Sequence, residues 1–343
     1  MVTRPASGTA IWSGPLGPHY VRNVGTAELR VSIMASAGRE LAAIAATSGL
    51  YGVDLSPSVE TFCRIAILVA LFLVLFGLES MVPLRRWSRP RFPRLIVNLL
   101  ISTLAIATAA IIVVPASTIA LERVSAQHFG LLSWLRLPAA LDFVALFLLM
   151  DLTFYYWHRA NHTIGFLWRF HNVHHIDPDL DVSTAFRFHF CEVALSSGFR
   201  VAQIAAIGVS PLTFAIYELV FQSNTLFQHS NVRLPIGAER LLNRILVSPR
   251  MHGIHHSQVR RENTSNFSVV FPWWDWLHKT LRLNVPQTLI VFGIPAYSTD
   301  SNYVGTALVA PFGRQREYWR MLDRTTPQRN DASLQALQTT MAE

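Results

Sequence analysis

Residues 139–175 read AALDFVALFLLMDLTFYYWHRANHTIGFLWRFHNVHH, an apolar run that ends abruptly in a segment with five histidines. The apolar part, 139–157, carries two aspartates and no other charged residue. A membrane helix needs about 20 mostly apolar residues. We therefore predict that 139–157 spans a bilayer and that the chain leaves the membrane at His158.

The composition supports a membrane protein. The chain has 343 residues, a mean hydropathy of +0.31 and only 15% charged residues. Its formal charge is +8, with Lys279 as the one lysine among 29 basic residues, and such an excess suits an anionic lipid surface as well as nucleic acid. Because apolar spans are present, we expect lipid and no nucleic acid as a partner.

Four further segments resemble membrane-embedded helices. Two of them, 61–82 and 95–115, precede the opening stretch. The other two, 191–208 and 211–228, flank the turn sequence GVSP, and we interpret them as a hairpin that enters the bilayer and returns. The predicted fold is an all-α integral membrane protein with about five membrane-embedded helices and a cytoplasmic, histidine-rich helical cap that holds a two-metal site.

Arginines set the predicted orientation. The loop PLRRWSRPRFPR at 83–94 carries five arginines, which the positive-inside rule places in the cytoplasm. A loop at 116–138 is then expected outside, and the exit at His158 is cytoplasmic. If 191–228 is a hairpin, the chain from His229 onward is cytoplasmic too, so every histidine box lies at one membrane face.

Four regions are expected along the chain. Residues 1–60 form an N-terminal segment, partly disordered or interfacial and without a signal peptide; 61–138 hold the N-terminal membrane helices; 139–282 form the catalytic domain; 283–343 form a cytoplasmic tail with a loosely ordered polar end. The two cysteines, Cys63 and Cys191, lie in or beside apolar segments and indicate neither a disulfide framework nor a thiolate metal site.

Eleven of the thirteen histidines lie between 158 and 278. Residues three or four apart on a helix share a face, and the boxes HRANH, HNVHH and HGIHH all have that spacing. Neutral imidazole is a common ligand for iron, zinc, copper and nickel. With the histidine at the end of the hairpin, the boxes provide nine candidate ligands, enough for two metals: His158, His162, His171, His174, His175, His229, His252, His255 and His256.

Other residues are candidates for supporting roles. His189 and Asp151 are possible ligands or ligand partners, whereas His19, His128 and His278 are not expected to bind metal. A ligating imidazole usually donates its second N–H to a carboxylate, carbonyl or water. Candidates for that role are Asp151, Asp177, Asp181, Glu192, Asn266 and Asp275. The aromatic residues Phe154, Tyr155, Tyr156, Trp157, Phe166 and Trp168 could form an interfacial belt or a substrate wall.

These boxes, with the segments LLMDLTFYYW, DVSTAFRFHFCE, FQHSNVRLP and SPRMHGIHHS around them, resemble the fatty acid hydroxylase and sterol desaturase superfamily, in particular its bacterial sterol desaturase-like branch. The resemblance is specific over about 142–282. Two departures are visible: Phe190 stands where members often have proline, and WDWLHKT at 274–280 where they often have WDRLFGT. Both affect the rim of the site more than its ligands.

The resemblance implies an activity. Members hold two irons in these boxes, so the nine histidines are the implied ligands, and zinc can substitute in a purified protein. The implied protein is an oxidoreductase of lipid biosynthesis or modification, which uses O2 and two external electrons to hydroxylate or desaturate a sterol-like or fatty acyl C–H bond. It is expected in the bacterial inner membrane with its metal site on the cytoplasmic face.

The electrons are expected from a separate donor. The sequence has no glycine-rich dinucleotide fingerprint after a strand and no cysteine set for an iron–sulfur cluster. We therefore expect a reductase, a ferredoxin-like protein or a cytochrome as partner.

The alternative from another class is a histidine-rich membrane transporter of zinc or iron, or a metal-binding protein without oxygenase activity. Transport favours polar ligands within spans. The histidine boxes begin where the spans end, which favours an enzyme.

Overall fold

The computed structural model describes residues 10–14, 17–21, 57–135, 137–298 and 303–329. Ala10–Gly14 (β1) and Gly17–Val21 (β2) form an antiparallel pair, with Ala10 opposite Val21. The segment expected at the interface, 39–50, lies outside the described residues.

The described chain from Pro57 onward is helical. Its α-helices are α1 Pro57–Met81, α2 Arg91–Thr108, α3 Val114–Gln127, α4 Leu131–Leu135, α5 Ala139–Thr163, α6 Gly165–His175, α7 Phe190–Ile207, α8 Pro211–His229, α9 Ile236–Leu242, α10 Pro249–His255, α11 Arg260–Asn263, α12 Trp273–Leu277 and α13 Val304–Val309. A π-helix, Ala109–Val113, joins α2 to α3. Short 3-10 helices lie at Val182–Thr184, Gln287–Leu289, Pro295–Tyr297 and Ala310–Phe312.

Four helical stretches within the described residues are long and apolar enough to cross a membrane: Thr61–Met81, Arg91–Leu135, Ala139–Thr163 and Phe190–Ile207. The prediction of an all-α membrane protein is confirmed for this part of the chain. The fifth predicted segment is also a helix, α8, but it is not among these four apolar stretches. On α1 many large apolar side chains face outward, as Leu73 shows with 61% exposure, which suits contact with lipid, whereas Leu75 is buried in an apolar cluster.

The expected loop at 116–138 is wrong. Residues 91–127 form one uninterrupted helical rod, because the π-helix at 109–113 precedes Pro115. Proline lacks an N–H and its ring clashes with the carbonyl four residues earlier, here Ile111. A π-helical turn changes that hydrogen-bonding register, so the rod continues past the proline to Gln127.

Helices α7 and α8 form the predicted hairpin. Gly208 ends α7 in the left-handed conformation with φ +85°, and Ser210 caps the start of α8 by accepting from the Thr213 N–H. A Cβ on Gly208 would lie 2.8 Å from the Phe129 carbonyl, so this tip requires glycine. The other end of the hairpin brings His229 back beside His174, with 3.0 Å between their Nε2 atoms.

Buried ion pairs fasten α2 to the loop that follows α6, the helix with the first HxxHH box. Arg94 pairs with Asp177 at 2.8 Å and also with Asp181, and all three side chains are almost fully buried. One turn further on, Asn98 donates to Asp177 and accepts from the buried Arg187. The loop after α6 therefore packs against polar residues in the first turns of α2, a helix that is otherwise mostly apolar.

The arginine-rich loop at 83–94 lies against the histidine-rich cap. Asp179 accepts from the backbone N–H groups of Ser88 and Arg89, at 2.8 and 2.9 Å. Arg85 is buried and donates to the Asn231 side chain. This loop and the histidine boxes therefore occupy the same end of the helix bundle.

The C-terminal region packs more tightly than expected within the part described. Trp319 stacks on Trp168, with 5.9 Å between ring centroids. Ile294 and Tyr297 join the same apolar cluster. Arg329 pairs with the buried Glu262 at 2.8 Å. The expectation of a loose end is therefore wrong for residues 303–329, which fold back on the cap.

Replacing Arg94 by alanine is predicted to lower the free energy of unfolding by about 3–5 kcal/mol, because two buried carboxylates lose their cation. The measurement is thermal unfolding in detergent. Arg86→Ala is the matched control, since Arg86 is an exposed arginine of the same loop. Equal melting temperatures for the two variants would contradict the role assigned to the ion pair.

Candidate metal centre

Nine buried or nearly buried histidines form two adjacent groups. The first, called the five-histidine group, contains His158, His162, His171, His175 and His255. The second, the four-histidine group, contains His174, His229, His252 and His256. Within each group the candidate ligand nitrogens lie within 4.8 Å of one another. The structure thus brings together all nine histidines selected from the sequence.

The two HxxHH boxes are divided between the groups. His171 and His175 join the five-histidine group while His174, between them, joins the other. The second box does the reverse: His252 and His256 enter the four-histidine group, and His255 enters the first. Adjacent residues on a helix point about 100° apart, so one helix can serve two sites on neighbouring flanks. The shared face predicted from the spacing therefore holds for HRANH, whose two histidines join one group, but is wrong for the two HxxHH boxes.

The groups touch through these shared boxes. The rings of His175 and His256 stack at 4.2 Å between centroids. The rings of His171 and His174 lie 5.5 Å apart, and those of His252 and His255 lie 5.1 Å apart. Two metal ions held in the groups would be immediate neighbours.

Hydrogen bonds to Nδ1 orient the rings. The Nδ1 atoms of His158, His229 and His255 each lie 2.7 Å from a backbone carbonyl, those of Phe267, Thr225 and Ser265 respectively. A carbonyl oxygen can only accept, so Nδ1 carries the hydrogen and Nε2 keeps its lone pair. His171 Nδ1 lies 2.7 Å from Glu192 and His162 Nδ1 lies 3.0 Å from the Asn263 carbonyl oxygen, with the same consequence.

The Nε2 atoms point into the two groups. In the five-histidine group, Nε2 of His162, His171, His175 and His255 is buried without a hydrogen-bond partner. Buried polar atoms are rarely left unpaired. In His162, His171 and His255 the hydrogen is on Nδ1, and three such Nε2 lone pairs at one point suit a cation site.

In the four-histidine group the Nε2 atoms approach one another. His229 Nε2 lies 3.0 Å from those of His174 and His252, and His252 Nε2 lies 3.1 Å from that of His256. Nitrogens about 2.1 Å from one metal and at right angles around it would be separated by about 3.0 Å. These three separations therefore suit nitrogens that bind one metal ion.

The imidazoles are electrically suited to ligation. Burial lowers the pKa of His255 to about 3, although its hydrogen bond to Ser265 opposes the shift. Burial and the neighbouring imidazoles also lower the pKa values of His174, His175, His252 and His256 well below the usual value of 6.5. The rings are thus neutral at pH 7, the state in which imidazole binds metal.

Among the acidic candidates, only Glu192 contacts a histidine of the groups directly, through His171. Asp275 acts indirectly. It accepts from the N–H groups of Phe267 and Ser268 and so positions the Phe267 carbonyl that orients His158.

The other candidate partners of the histidines stabilise the surrounding structure. Asp177 and Asp181 pair with Arg94. Asn266 adopts φ +55° and donates to the carbonyls of Met251 and Arg282.

Asp151 and the remaining histidines lie outside both groups. Asp151 accepts from the Phe271 N–H and from the Trp274 indole N–H, which fastens α5 to the chain before α12. His189 caps α7, accepting from the Cys191 N–H at Nδ1, while its Nε2 lies 3.2 Å from the Leu308 carbonyl. His278 contacts Tyr156, and His128 is an exposed residue at the end of α3.

The aromatic residues near the boxes do not form one continuous wall. Tyr155 is fully buried and stacks on His278, and Trp168 packs on Trp319. Tyr156 and Phe166 remain 48% and 57% exposed. Most of this set serves packing around α5 and α6.

Asn263 is the supporting residue that the sequence did not indicate. Its carbonyl oxygen faces His162, and its amide nitrogen lies 3.1 Å from His175 Nδ1 and donates to the His255 carbonyl. It thus touches three members of the five-histidine group. It lies on the short helix α11, with no histidine beside it and no spacing that could have revealed it.

Comparisons with known proteins agree with this site. Residues 143–280 match the family model for fatty acid hydroxylase. The chain is 30% identical over 161 residues to ornithine lipid hydroxylase OlsE of Rhizobium tropici, covering 47% of this chain and 46% of that protein. It is 28% identical over 151 residues to human alkylglycerol monooxygenase, covering 43% of this chain and 32% of that protein.

Mouse cholesterol 25-hydroxylase is 29% identical over 178 residues, covering 48% of this chain and 58% of that protein. The chain therefore spans from about a third to under three fifths of the length of these relatives. No solved structure gives a significant match. The resemblance to the fatty acid hydroxylase and sterol desaturase superfamily is confirmed.

Removing one histidine from each group tests the assignment of the groups. His255→Ala is predicted to deplete the five-histidine group and His174→Ala the four-histidine group, so each variant loses at least one of two metals per chain. The measurement is metal content by mass spectrometry of the purified protein. His128→Asn, which removes an exposed histidine and suits a left-handed backbone, should keep the full content; equal content in all three would refute the assignment.

Asn263→Ala is predicted to weaken metal binding by about 10–100-fold, the usual effect of losing a residue that orients ligands. Competition with a chelator measures the affinity. Asn284→Ala is the control, because Asn284 is an exposed asparagine. Unchanged affinity in Asn263→Ala would show that the contacts to His162 and His175 do not orient them.

Proposed function

Taking residues 143–280 as a fatty acid hydroxylase domain, we propose that this protein is a membrane-bound di-iron oxygenase that hydroxylates or desaturates a lipid C–H bond. The observation that carries the proposal is the pair of adjacent groups of neutral, buried imidazoles at the end of an apolar helix. Hydroxylation consumes O2, two electrons and two protons and yields an alcohol and water. Desaturation consumes the same reactants and yields an alkene and two waters.

The donor set supports two irons. All nine proposed ligands are imidazoles, which suit iron, zinc, copper and nickel. Two irons, when bound, would supply the activation of O2 and the oxidation of the C–H bond. The protein itself fixes the tautomers of His158, His255 and His229 through the carbonyls of Phe267, Ser265 and Thr225.

The proposed substrate is a membrane lipid. His158 and His162 lie on the last two turns of α5, whose preceding residues form an apolar stretch able to cross a bilayer. The site is therefore within two helical turns of the lipid phase. The names of the three relatives give an ornithine lipid, an alkylglycerol and cholesterol as their substrates, all of them lipids.

The proposed location is the bacterial inner membrane, with the metal centre at its cytoplasmic face. The arginine-rich loop at 83–94 supports this, because it contacts Asp179 and Asn231 beside the histidine boxes. By the positive-inside rule the loop and the centre then share the cytoplasmic side. There a separate reductase, ferredoxin-like protein or cytochrome would supply the two electrons.

Transport of metal is less well supported. A transporter holds its ligands within membrane spans, yet seven of the nine histidines, all except His158 and His162, lie outside the four candidate spans. The rings of His171, His175, His229 and His255 are also held by hydrogen bonds to Glu192, Asn263, Thr225 and Ser265, which suits a permanent site.

The test supplies iron-loaded protein in detergent with O2, a reductase system and total membrane lipid. The predicted result is two irons per chain and a lipid product that has gained one oxygen or lost two hydrogens. His255→Ala should lose the product, while His128→Asn should retain it. One zinc or none per chain, together with no O2-dependent product, would rule out the proposal.

A further inference from the structure

Helix α12 is short, apolar and exposed, although it follows the last predicted membrane segment by more than forty residues. Trp276 is 73% exposed, Leu277 59% and Trp273 40%. The turn after α9 lies beside it, because the Trp273 indole N–H donates to the Arg244 carbonyl at 2.6 Å. That turn exposes Ile245 at 54%. We call Ile245, Trp273, Trp276, Leu277 and Lys279 the interfacial patch.

The patch is fastened to α5 along its apolar length. The Phe271 ring lies 5.9 Å from that of Phe147, Asp151 accepts from the Trp274 indole, and Tyr156 bonds His278 at 2.8 Å. The chain from 271 to 278 therefore runs beside residues 147–156.

The contacts with α5 set the depth of the interfacial patch in the bilayer. α5 has 25 residues, and a membrane crossing takes about 20 of them. A crossing that begins at Ala139 ends near residue 158, so Tyr156, which contacts His278, lies close to the end of the crossing. Side chains that point outward at this level meet the headgroup region.

The charges around the patch have one sign. Arg240, Arg244 and Lys279 are exposed. The acidic residues of these two segments, Glu239 and Asp275, are buried, and Glu239 pairs with Arg250. An exposed surface of tryptophan, leucine and isoleucine bordered only by cations suits the headgroup level of an anionic bilayer.

The backbone of Lys279 is also unusual. It adopts φ +59°, a left-handed conformation that glycine takes without strain and lysine does not. A strained lysine at the edge of an apolar patch places an ammonium group where lipid phosphates lie.

From these observations we infer that the interfacial patch is a second membrane-contact surface, seated in the headgroup region of an anionic bilayer beside α5. The cap is thereby held to the membrane on the side of α12 as well as through its spanning helices. This surface is independent of metal content and of the proposed reaction.

The test places a fluorescent label on a single cysteine of the full chain, in a background in which Cys63 and Cys191 are serine. Trp276→Cys and Leu277→Cys probe the patch after reconstitution in vesicles of phosphatidylcholine and phosphatidylglycerol. Leu73→Cys on α1 is the lipid-exposed reference, and Leu322→Cys is the reference for an exposed leucine outside the candidate spans. Each variant is first required to match the parent in melting temperature.

We expect a lipid with a nitroxide near the top of its acyl chain to quench both patch probes at least half as strongly as the Leu73 probe. Aqueous iodide should quench them several times less than the Leu322 probe. Patch probes that behave like the Leu322 probe towards both quenchers would overturn the inference. Either patch position alone suffices for this decision if the other variant fails to fold.

The charge is tested by exchanging the neutral spin-labelled lipid for spin-labelled phosphatidylglycerol. Quenching of the Trp276→Cys probe should rise with the anionic lipid, and Lys279→Gly should remove most of that rise without lowering the melting temperature. Arg324→Gly is the matched control, since Arg324 is also an exposed cation with positive φ, at +68°. An anionic preference that survives Lys279→Gly would overturn the role given to Lys279.

Discussion

Nine imidazoles are turned towards one another in a space from which water is largely excluded, and the rest of the structure depends on that arrangement. Lone pairs that face each other without protons between them are unfavourable unless a cation is held there. Three of the rings, those of His158, His255 and His229, are anchored from behind. The carbonyls of Phe267, Ser265 and Thr225 can only accept a hydrogen bond, so Nδ1 carries the hydrogen and Nε2 keeps a lone pair that can bind a metal.

The anchors themselves depend on longer-range contacts. Asp275 holds the backbone at Phe267 and Ser268, and Asp151 ties the following residues to α5, so His158 and the carbonyl behind it are fixed to the same helix. On the opposite side, Arg94 fastens the loop after α6 to the start of a long apolar rod. Carboxylates that lie outside the histidine groups thus determine where the imidazoles point. The apolar helices, in turn, place the whole assembly at the end of a membrane span.

The sequence predicted much of this arrangement, and the failures have physical causes. Spacing of three and four residues identified eight of the nine histidines, the predicted hairpin added His229, and apolar runs located the candidate spans. Spacing could not show that His174 and His255 each join a different group from the other two histidines of their box. The division depends on which helices pack on the two flanks of α6 and α10. Asn263 was missed because an isolated amide has no pattern until the fold brings it to three histidines. Pro115 appeared to end a span, yet a π-helical turn carries the helix past it.

X-ray absorption at the iron edge of iron-loaded protein tests the central claim most directly. Because five and four histidines face the two positions, we predict an average of between four and five imidazoles per iron, with two irons per chain and no sulfur ligand. A single iron per chain, a sulfur ligand, or a shell made mainly of oxygen with few imidazoles would contradict the assignment of these histidines to a two-metal centre.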